Sequence, residues 1–282
     1  MTVLEAIQRS TEFLAKKSVD SPRLQSELLL AHLLKLPRMK LYLNFERALT
    51  EEEVTSFREL IRRRGQREPL QYITGLTSFC GLEIAVNRSV LIPRPETELL
   101  AERGWSFLNQ RKTIALDFGT GSGCLAIALT VKSPPARIVG VDNSSSALTL
   151  AGRNAASHQV NDRITFVLGD SLAKLTQTTQ YDLIISNPPY IPTSEIETLQ
   201  PEVRDYEPRT ALDGGVDGLD YFRRLASEAK PLLNSGGRLM LELGDGQSES
   251  IRQILEAENW IVEAVQQDYN QRPRVLVAKR AE

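Results

Sequence analysis

Seven short apolar runs mark the chain from about residue 100 onward: "TIALDFG", "RIVGVDN", "ITFVLGD", "YDLIISN", "GRLMLELG", "WIVEAVQQ" and "RVLVAKR". Helical stretches separate most of them. A strand covered on both faces reads as a continuous apolar run, and strand and helix in alternation supply that cover, so an α/β fold with a mostly parallel sheet is expected. Only "DYNQRP" lies between the last two runs. That is too short for a crossover helix, so the final strand is expected to be antiparallel.

The first 74 residues carry a different period. Val3, Leu4, Ile7, Phe13 and Leu14 recur at helical spacing, and Ser21 with Pro22 has the form of an N-cap followed by proline at the first helical position. Thr50 and Glu53 have the spacing of a capping box ahead of a third helix with Val54, Phe57, Leu60 and Ile61 on one face. In "SFCGLEIAVN" apolar residues alternate about Cys80-Gly81 like a hairpin, and the proline-punctuated "VLIPRPETELL" follows. Three regions are expected: a small all-α domain over 1–74, a hairpin linker over 75–99, and the α/β domain over 100–282.

At 41% hydrophobic and 25% charged residues, with net charge −2, the chain is globular and carries no domain-wide basic field for nucleic acid. "RRRGQR" at 62–67 reads either as a solvated helix end or as a local contact patch. Two cysteines, Cys80 and Cys124, are too few for a disulfide framework, and neither His32 nor His158 stands at metal-ligand spacing from them. No metal site is expected. With no signal peptide or membrane-length apolar run in the sequence, a cytoplasmic protein away from membranes is expected.

Carboxyl-end loops of an open α/β sheet converge on one crevice, so "DFGTGSG", "VDN", "GDS" and "SNPPY" should surround one site. In the first, Gly119, Thr120, Gly121, Ser122 and Gly123 form a G-x-G-x-G turn that admits a ligand close to the backbone at a helix N-terminus. The spacing differs from the G-x-G-x-x-G of dinucleotide folds, which disfavours a nicotinamide oxidoreductase. Asp142 ends the next strand, where its carboxylate either accepts ribose hydroxyls or caps the helix beginning near Ser144. Asp170 and Ser171 either meet an adenine ring or cap a helix.

"SNPPY" carries the sharper chemistry. Asn187 offers an acceptor and a donor, while Pro188 and Pro189 lack N–H and leave only carbonyl acceptors. Such a loop suits a planar NH2 group, and Tyr190 offers it a flat face. No general base near neutrality stands in the loop. The plainer reading is a proline-stiffened turn.

"DFGTGSGC", "VDNS" and "SNPPYI" together resemble the class I S-adenosylmethionine-dependent methyltransferases that act on planar NH2 groups. Further motifs, "PLQYITG", "FCGLEIAVNRSVLIPRPETELL", "VRDYEPRTALDGGVDGLDYFRRL" and "LMLELGDGQ", resemble the HemK/PrmC family, the N5-glutamine methyltransferases of peptide chain release factors, over nearly the full chain. The resemblance implies a Rossmann-like seven-stranded sheet with an antiparallel last strand. It implies S-adenosyl-L-methionine as cofactor, leaving as S-adenosyl-L-homocysteine, and the glutamine of a Gly-Gly-Gln tripeptide in a release factor as substrate. Gly119 to Gly123 would hold the methionine portion, Asp142 the ribose, and Asn187 to Tyr190 the glutamine amide, with Asp170 and Ser171 on the adenine side. Arg94, Pro95 and Glu96 would close over the cofactor, unless Arg94 pairs with Glu96 or Glu98 as a clamp. The helical domain would dock the release factor, and the enzyme would be a monomer without direct nucleic-acid binding. Ribosomal-protein glutamine methylation, adenine-N6 methylation of DNA or RNA, and a non-catalytic docking module are the rival readings.

Overall fold

The computed structural model describes residues 1–108, 112–174 and 179–281. In chain order its elements are α1 (Val3–Lys16), α2 (Pro22–Leu34), α3 (Arg38–Tyr42), α4 (Glu51–Gly65), α5 (Leu70–Thr74), β1 (Leu76–Phe79), β2 (Leu82–Ala85), α6 (Thr97–Leu108), β3 (Ile114–Phe118) and α7 (Cys124–Lys132). Then come β4 (Arg137–Asp142), α8 (Ser145–Ser157), β5 (Ile164–Leu168), β6 (Tyr181–Ser186), α9 (Pro201–Arg204), α10 (Asp220–Glu228), β7 (Leu233–Glu242), α11 (Ser248–Ala257), β8 (Trp260–Gln267) and β9 (Pro273–Arg280). The chain divides into two compact units, Met1–Leu76 with Gln200–Tyr206, and Thr77–Leu199 with Glu207–Glu282.

In the helical unit, Ile7, Leu14, Leu29, Leu30, Leu41 and Phe57 are fully buried, each worth about 1.5–3 kcal/mol of transfer free energy. The Thr50/Glu53 capping box is formed as expected, and a second box at Thr2 and Glu5 starts α1. Ser21 stands at the expected N-cap position but in the left-handed region, φ 47°, and its side chain makes no capping bond. Placing Gln200–Tyr206 in this unit departs from the 1–74 boundary. The reason is electrostatic: Glu202 accepts from Arg64 Nη2 (2.7 Å) and from Arg67 Nη2 (2.6 Å).

These pairs also decide the "RRRGQR" patch. Arg62 pairs with Glu59 and Arg63 with Glu68, while Arg64 is 3% exposed and bonds Gln25 as well as Glu202. Burial works against the Glu202 charge, but hydrogen bonds from Arg67 and Arg64 hold its carboxyl below the usual range. Arg62, Arg63, Arg64 and Arg67 each pair with an acid, so the segment is a helix end with Arg62 and Gln66 exposed and Arg64 buried, and its cations are matched by carboxylates.

The second unit begins with the β1–β2 hairpin, where Cys80 (φ 52°) and Gly81 (φ 76°) both take the left-handed conformation of a tight two-residue turn. Its main sheet has seven strands in the order β5-β4-β3-β6-β7-β9-β8. Neighbours from β5 through β7 pair in parallel, and β9 runs antiparallel to both β7 and β8. This is the class I methyltransferase arrangement that the run pattern and the resemblance imply. From β3 the chain builds outward through β4 and β5, then returns to the other side of β3 with β6, so β3 and β6 flank the switch point where such sheets bind ligands. Both exit at that point. Phe118 pairs with Ser186, whose hydroxyl donates to the Phe118 carbonyl at 2.7 Å and ties the two exits together.

Candidate active site

At the carboxyl ends of β3, β4, β5 and β6 lies an open cleft. Gly119 and Gly121 line it from the first loop, Asp142 and Asn143 from the second, Gly169 and Asp170 from the third, and Asn187, Pro188 and Pro189 from the fourth. All four loops expected to converge do so. Val90 and Leu91 from the segment after the hairpin, and Thr210 and Tyr221, complete the wall.

The glycine loop depends on backbone conformation. Gly119, Gly121 and Gly123 have φ of 76°, 54° and 80°, which side-chain-bearing residues adopt only with strain. At Gly123 a Cβ would also come within 3.1 Å of Ala151 Cβ, so α7 starts where α8 packs closely. Thr120 and Ser122 are buried within the loop and do not line the cleft. Thr120 Oγ1 donates to Asp117 Oδ2 at 2.6 Å, and the Ser122 carbonyl accepts from Asn154 Nδ2 at 2.9 Å. Of the five loop residues, then, two face the cleft and the other three shape it.

Asp142 does not cap α8; Ser144 does, its hydroxyl accepting from Ala147 N. The Asp142 carboxylate instead accepts from Gly121 N (2.8 Å) through one oxygen and from Ser144 N (2.9 Å) through the other, bracing two loops of the cleft. Burial pushes its pKa up, and the amides of Ser144 and Gly121 oppose that shift. Asp170 lines the cleft, but Ser171 does not: its hydroxyl donates to Glu228 Oε2 at 2.8 Å and accepts from Ala173 N. Ser171 therefore serves the turn that follows and is withdrawn from the adenine role.

At the fourth loop, Asn187 Nδ2 donates to Thr97 Oγ1 at 3.1 Å, and Asn187 Oδ1 carries no hydrogen bond among the described residues. That leaves an acceptor at the cleft beside the proline carbonyls. Tyr190 departs from expectation: it does not line the cleft, and its hydroxyl points to Glu242 Oε1 at 3.4 Å. The ring packs against the core beneath the sheet edge. Arg94 pairs with neither Glu96 nor Glu98 but with Glu207 Oε1 at 2.6 Å.

Comparison with known proteins then addresses the chemistry. Residues 5–75 match the PrmC N-terminal domain and residues 96–200 the methyltransferase small domain. A release factor glutamine methyltransferase of Geobacter sulfurreducens is 48% identical over 250 residues, 89% of this chain and 87% of that protein. One of Chlorobaculum tepidum is 44% identical over 98% of this chain and 96% of its own. The chain belongs to the release factor glutamine methyltransferase family. A crystal structure of ribosomal protein L11 methylase from Lactobacillus delbrueckii subsp. bulgaricus superposes with a TM-score of 0.53 at 20% identity, covering 71% of this chain and 86% of that one, and so shares the fold.

Several residues of this family member's site escape motif reading. Asn154, on α8, accepts from Ala85 N (3.0 Å) and donates to the Ala85 and Ser122 carbonyls, joining the hairpin to the glycine loop. Gln247 Nε2 donates to the Tyr190 carbonyl (2.9 Å), while its Oε1 accepts from Gly244 N (3.1 Å). The turn at Gly214 runs so close that a Cβ there would come within 2.8 Å of Tyr190 Cα. Asn154 lies in none of the quoted motifs, while Gln247 and Gly214 stand inside "LMLELGDGQ" and "VRDYEPRTALDGGVDGLDYFRRL", where the pattern alone assigns them no role. Cys80 and Cys124 are free, and burial pushes both thiols up to about 12, leaving them unreactive.

Proposed function

We propose that the enzyme transfers a methyl group from S-adenosyl-L-methionine to the side-chain N5 of the glutamine in the Gly-Gly-Gln motif of peptide chain release factors. The observation that carries this reading is the cleft at the β3/β6 switch point, which sets the backbone of Gly119 and Gly121 opposite the acceptor-rich Asn187-Pro188-Pro189. Similarity to release factor glutamine methyltransferases over nearly the whole chain supports it.

In this reading Gly119 and Gly121 approach the methionine portion of the cofactor, Asp142 the ribose, and Asp170 the adenine side, with Tyr221 across the cleft. Asn187 Oδ1 and the Pro188 carbonyl each accept an N–H of the glutamine amide. An amide nitrogen is a poor nucleophile because its lone pair is delocalised, so fixing both hydrogens and aiming the lone pair at the methyl carbon does most of the work. The nitrogen forms its bond to that carbon as the sulfur–carbon bond breaks. Bound S-adenosyl-L-methionine would supply the electrophilic methyl, its sulfur departing as a neutral thioether, and the methylated nitrogen would release its extra proton to water. Tyr190 fixes the loop from behind instead of packing on the substrate. The helical unit docks the release factor, with Met39 and Leu43 exposed on and beside α3 as an apolar surface.

The test is to incubate the purified enzyme with a release factor and S-adenosylmethionine carrying a deuterated methyl, then fragment the product. One deuterated methyl on the Gly-Gly-Gln glutamine is expected. Transfer to RNA or DNA, or to no acceptor at all, would overturn the reading.

A further inference from the structure

The loop after β6 is held from behind by two segments from further along the chain. Ile191 N donates to the Leu212 carbonyl at 3.0 Å and Gly214 N to the Ile191 carbonyl at 2.9 Å, so a parallel bridge pairs Ile191 with Asp213. The same segment lines the cleft through Thr210 and Ala211. From the turn after β7, Gln247 Nε2 donates to the Tyr190 carbonyl at 2.9 Å, and Gln247 Oε1 accepts from Gly244 N at 3.1 Å. Nε2 also lies 3.5 Å from the Gly218 carbonyl. Two glycines make room for this grip: a Cβ at Gly218 would collide with the Tyr190 carbonyl oxygen, and one at Gly244 with Gln247 Oε1.

The neighbours dictate which way the Gln247 amide points. Gly244 N can only donate, and the Tyr190 and Gly218 carbonyls can only accept, so Oε1 must face the first and Nε2 the others. What the amide holds matters because of the residues before it. Pro188 and Pro189 have no N–H by which the scaffold could hold them, and proline fixes φ but leaves ψ free. The direction of the Pro188 carbonyl is therefore set by what anchors the two ends of the loop. At its start Ser186 Oγ is tied to the Phe118 carbonyl and Asn187 to Thr97. At its end Gln247 grips the Tyr190 carbonyl. We propose that Gln247 is a positioning residue for methyl transfer: by holding the Tyr190 carbonyl it fixes the exit of the Asn-Pro-Pro-Tyr loop and so aims the Pro188 carbonyl at the substrate amide. This rests on the role proposed above for that loop.

Gln247 makes two kinds of bond, and substitution separates them. Gln247→Glu keeps the length of the side chain and an oxygen for Gly244 N, but an ionised carboxylate has no proton to give the Tyr190 carbonyl. Gln247→Met fills a similar volume and makes neither bond. If Gln247 only closed the turn at Gly244, Gln247→Glu would behave as the parent. With the grip on Tyr190 as the working contact, both variants lose turnover.

The experiment measures kcat and KM for a release factor at pH 8, S-adenosylhomocysteine affinity by calorimetry, and amide exchange by NMR, on the full chain and on both variants. Each variant should lose at least about tenfold in kcat, with cofactor affinity within about threefold, because the grip lies on the substrate side of the cleft. The Ile191 and Gly214 amides should exchange at least about tenfold faster, while the Gly119 amide, bonded to the Val141 carbonyl, stays within about threefold. Parental kcat in either variant, unchanged exchange at Ile191, or a loss of cofactor affinity equal to the loss in kcat would overturn the assignment. If one variant does not fold, the other decides by the same readouts. A parent enzyme inactive on every release factor would instead overturn the proposed function, and the exchange rates would still decide whether Gln247 holds the loop.

Discussion

Thr97 Oγ1 lies 3.1 Å from Asn187 Nδ2 although the two residues are ninety positions apart. The bond assigns one half of the Asn187 amide to the scaffold and leaves the other for the cleft. Replacing Asn187 by Ala should therefore abolish substrate orientation while leaving the glycine loop intact. A loss of several powers of ten in single-turnover rate, with S-adenosylmethionine affinity within about tenfold, is expected. Parent-like methylation by Asn187→Ala would remove the residue from the mechanism.

Asp142 braces the site on the cofactor side. Its two oxygens hold the amides of Gly121 and Ser144, so Asp142→Ala frees both loops as well as removing the proposed ribose acceptor. Cofactor affinity should fall roughly 10- to 100-fold, about 1.4–2.8 kcal/mol. Titration calorimetry with S-adenosylhomocysteine reads this directly. Affinity unchanged within twofold would take the carboxylate out of the cofactor site.

What sequence could and could not convey divides along physical lines. The seven strands of the main sheet were legible because strands buried on both faces leave continuous apolar runs, and the β1–β2 hairpin because apolar residues alternate about Cys80-Gly81, where the structure places the turn. The convergence of "DFGTGSG", "VDN", "GDS" and "SNPPY" followed from strand polarity alone. Side-chain direction did not. Whether Tyr190 faces the cleft or Glu242 depends on which way one χ1 points, and Ser171 is taken by Glu228, a residue of another helix. Likewise "IPRPETE" suggested Arg94 with a nearby acid, whereas the chain brings Glu207 to it from over a hundred residues away.

The Arg94–Glu207 pair is a stability element beside the cleft. The Glu207 side chain is 1% exposed, accepts from Arg94 at 2.6 Å and from Ile92 N at 3.2 Å, and is pushed up in pKa by burial against the pull of Arg94. Arg94→Ala would strand a buried carboxylate and should cost about 3–5 kcal/mol in urea unfolding. The double variant Arg94→Met, Glu207→Gln should recover most of that loss. Equal stability of Arg94→Ala and the parent would mean that the pair carries no net coupling.

Asp117, at the end of β3, sets a pH dependence of opposite sign to that of paired surface acids. It is fully buried, Oδ1 has no partner among the described residues, and burial pushes its pKa from 3.8 up to about 7. Below about pH 4 folded and unfolded chains both hold the proton, and the group contributes no pH dependence. Between there and about 7 the unfolded chain has released it while the folded chain keeps it, so this residue lowers stability as pH rises. Acids held low, such as Asp217 beside Arg223, work the other way, and the parent curve alone would mix the two. The difference between Asp117→Asn and the parent isolates the residue, because the variant has nothing to titrate there. That difference should move in the variant's favour by up to about 1.4 kcal/mol per pH unit across the window and level off above it. Unfolding in urea at half-unit steps from pH 4 to 8 measures it, and a difference independent of pH would show that Asp117 titrates alike in both states.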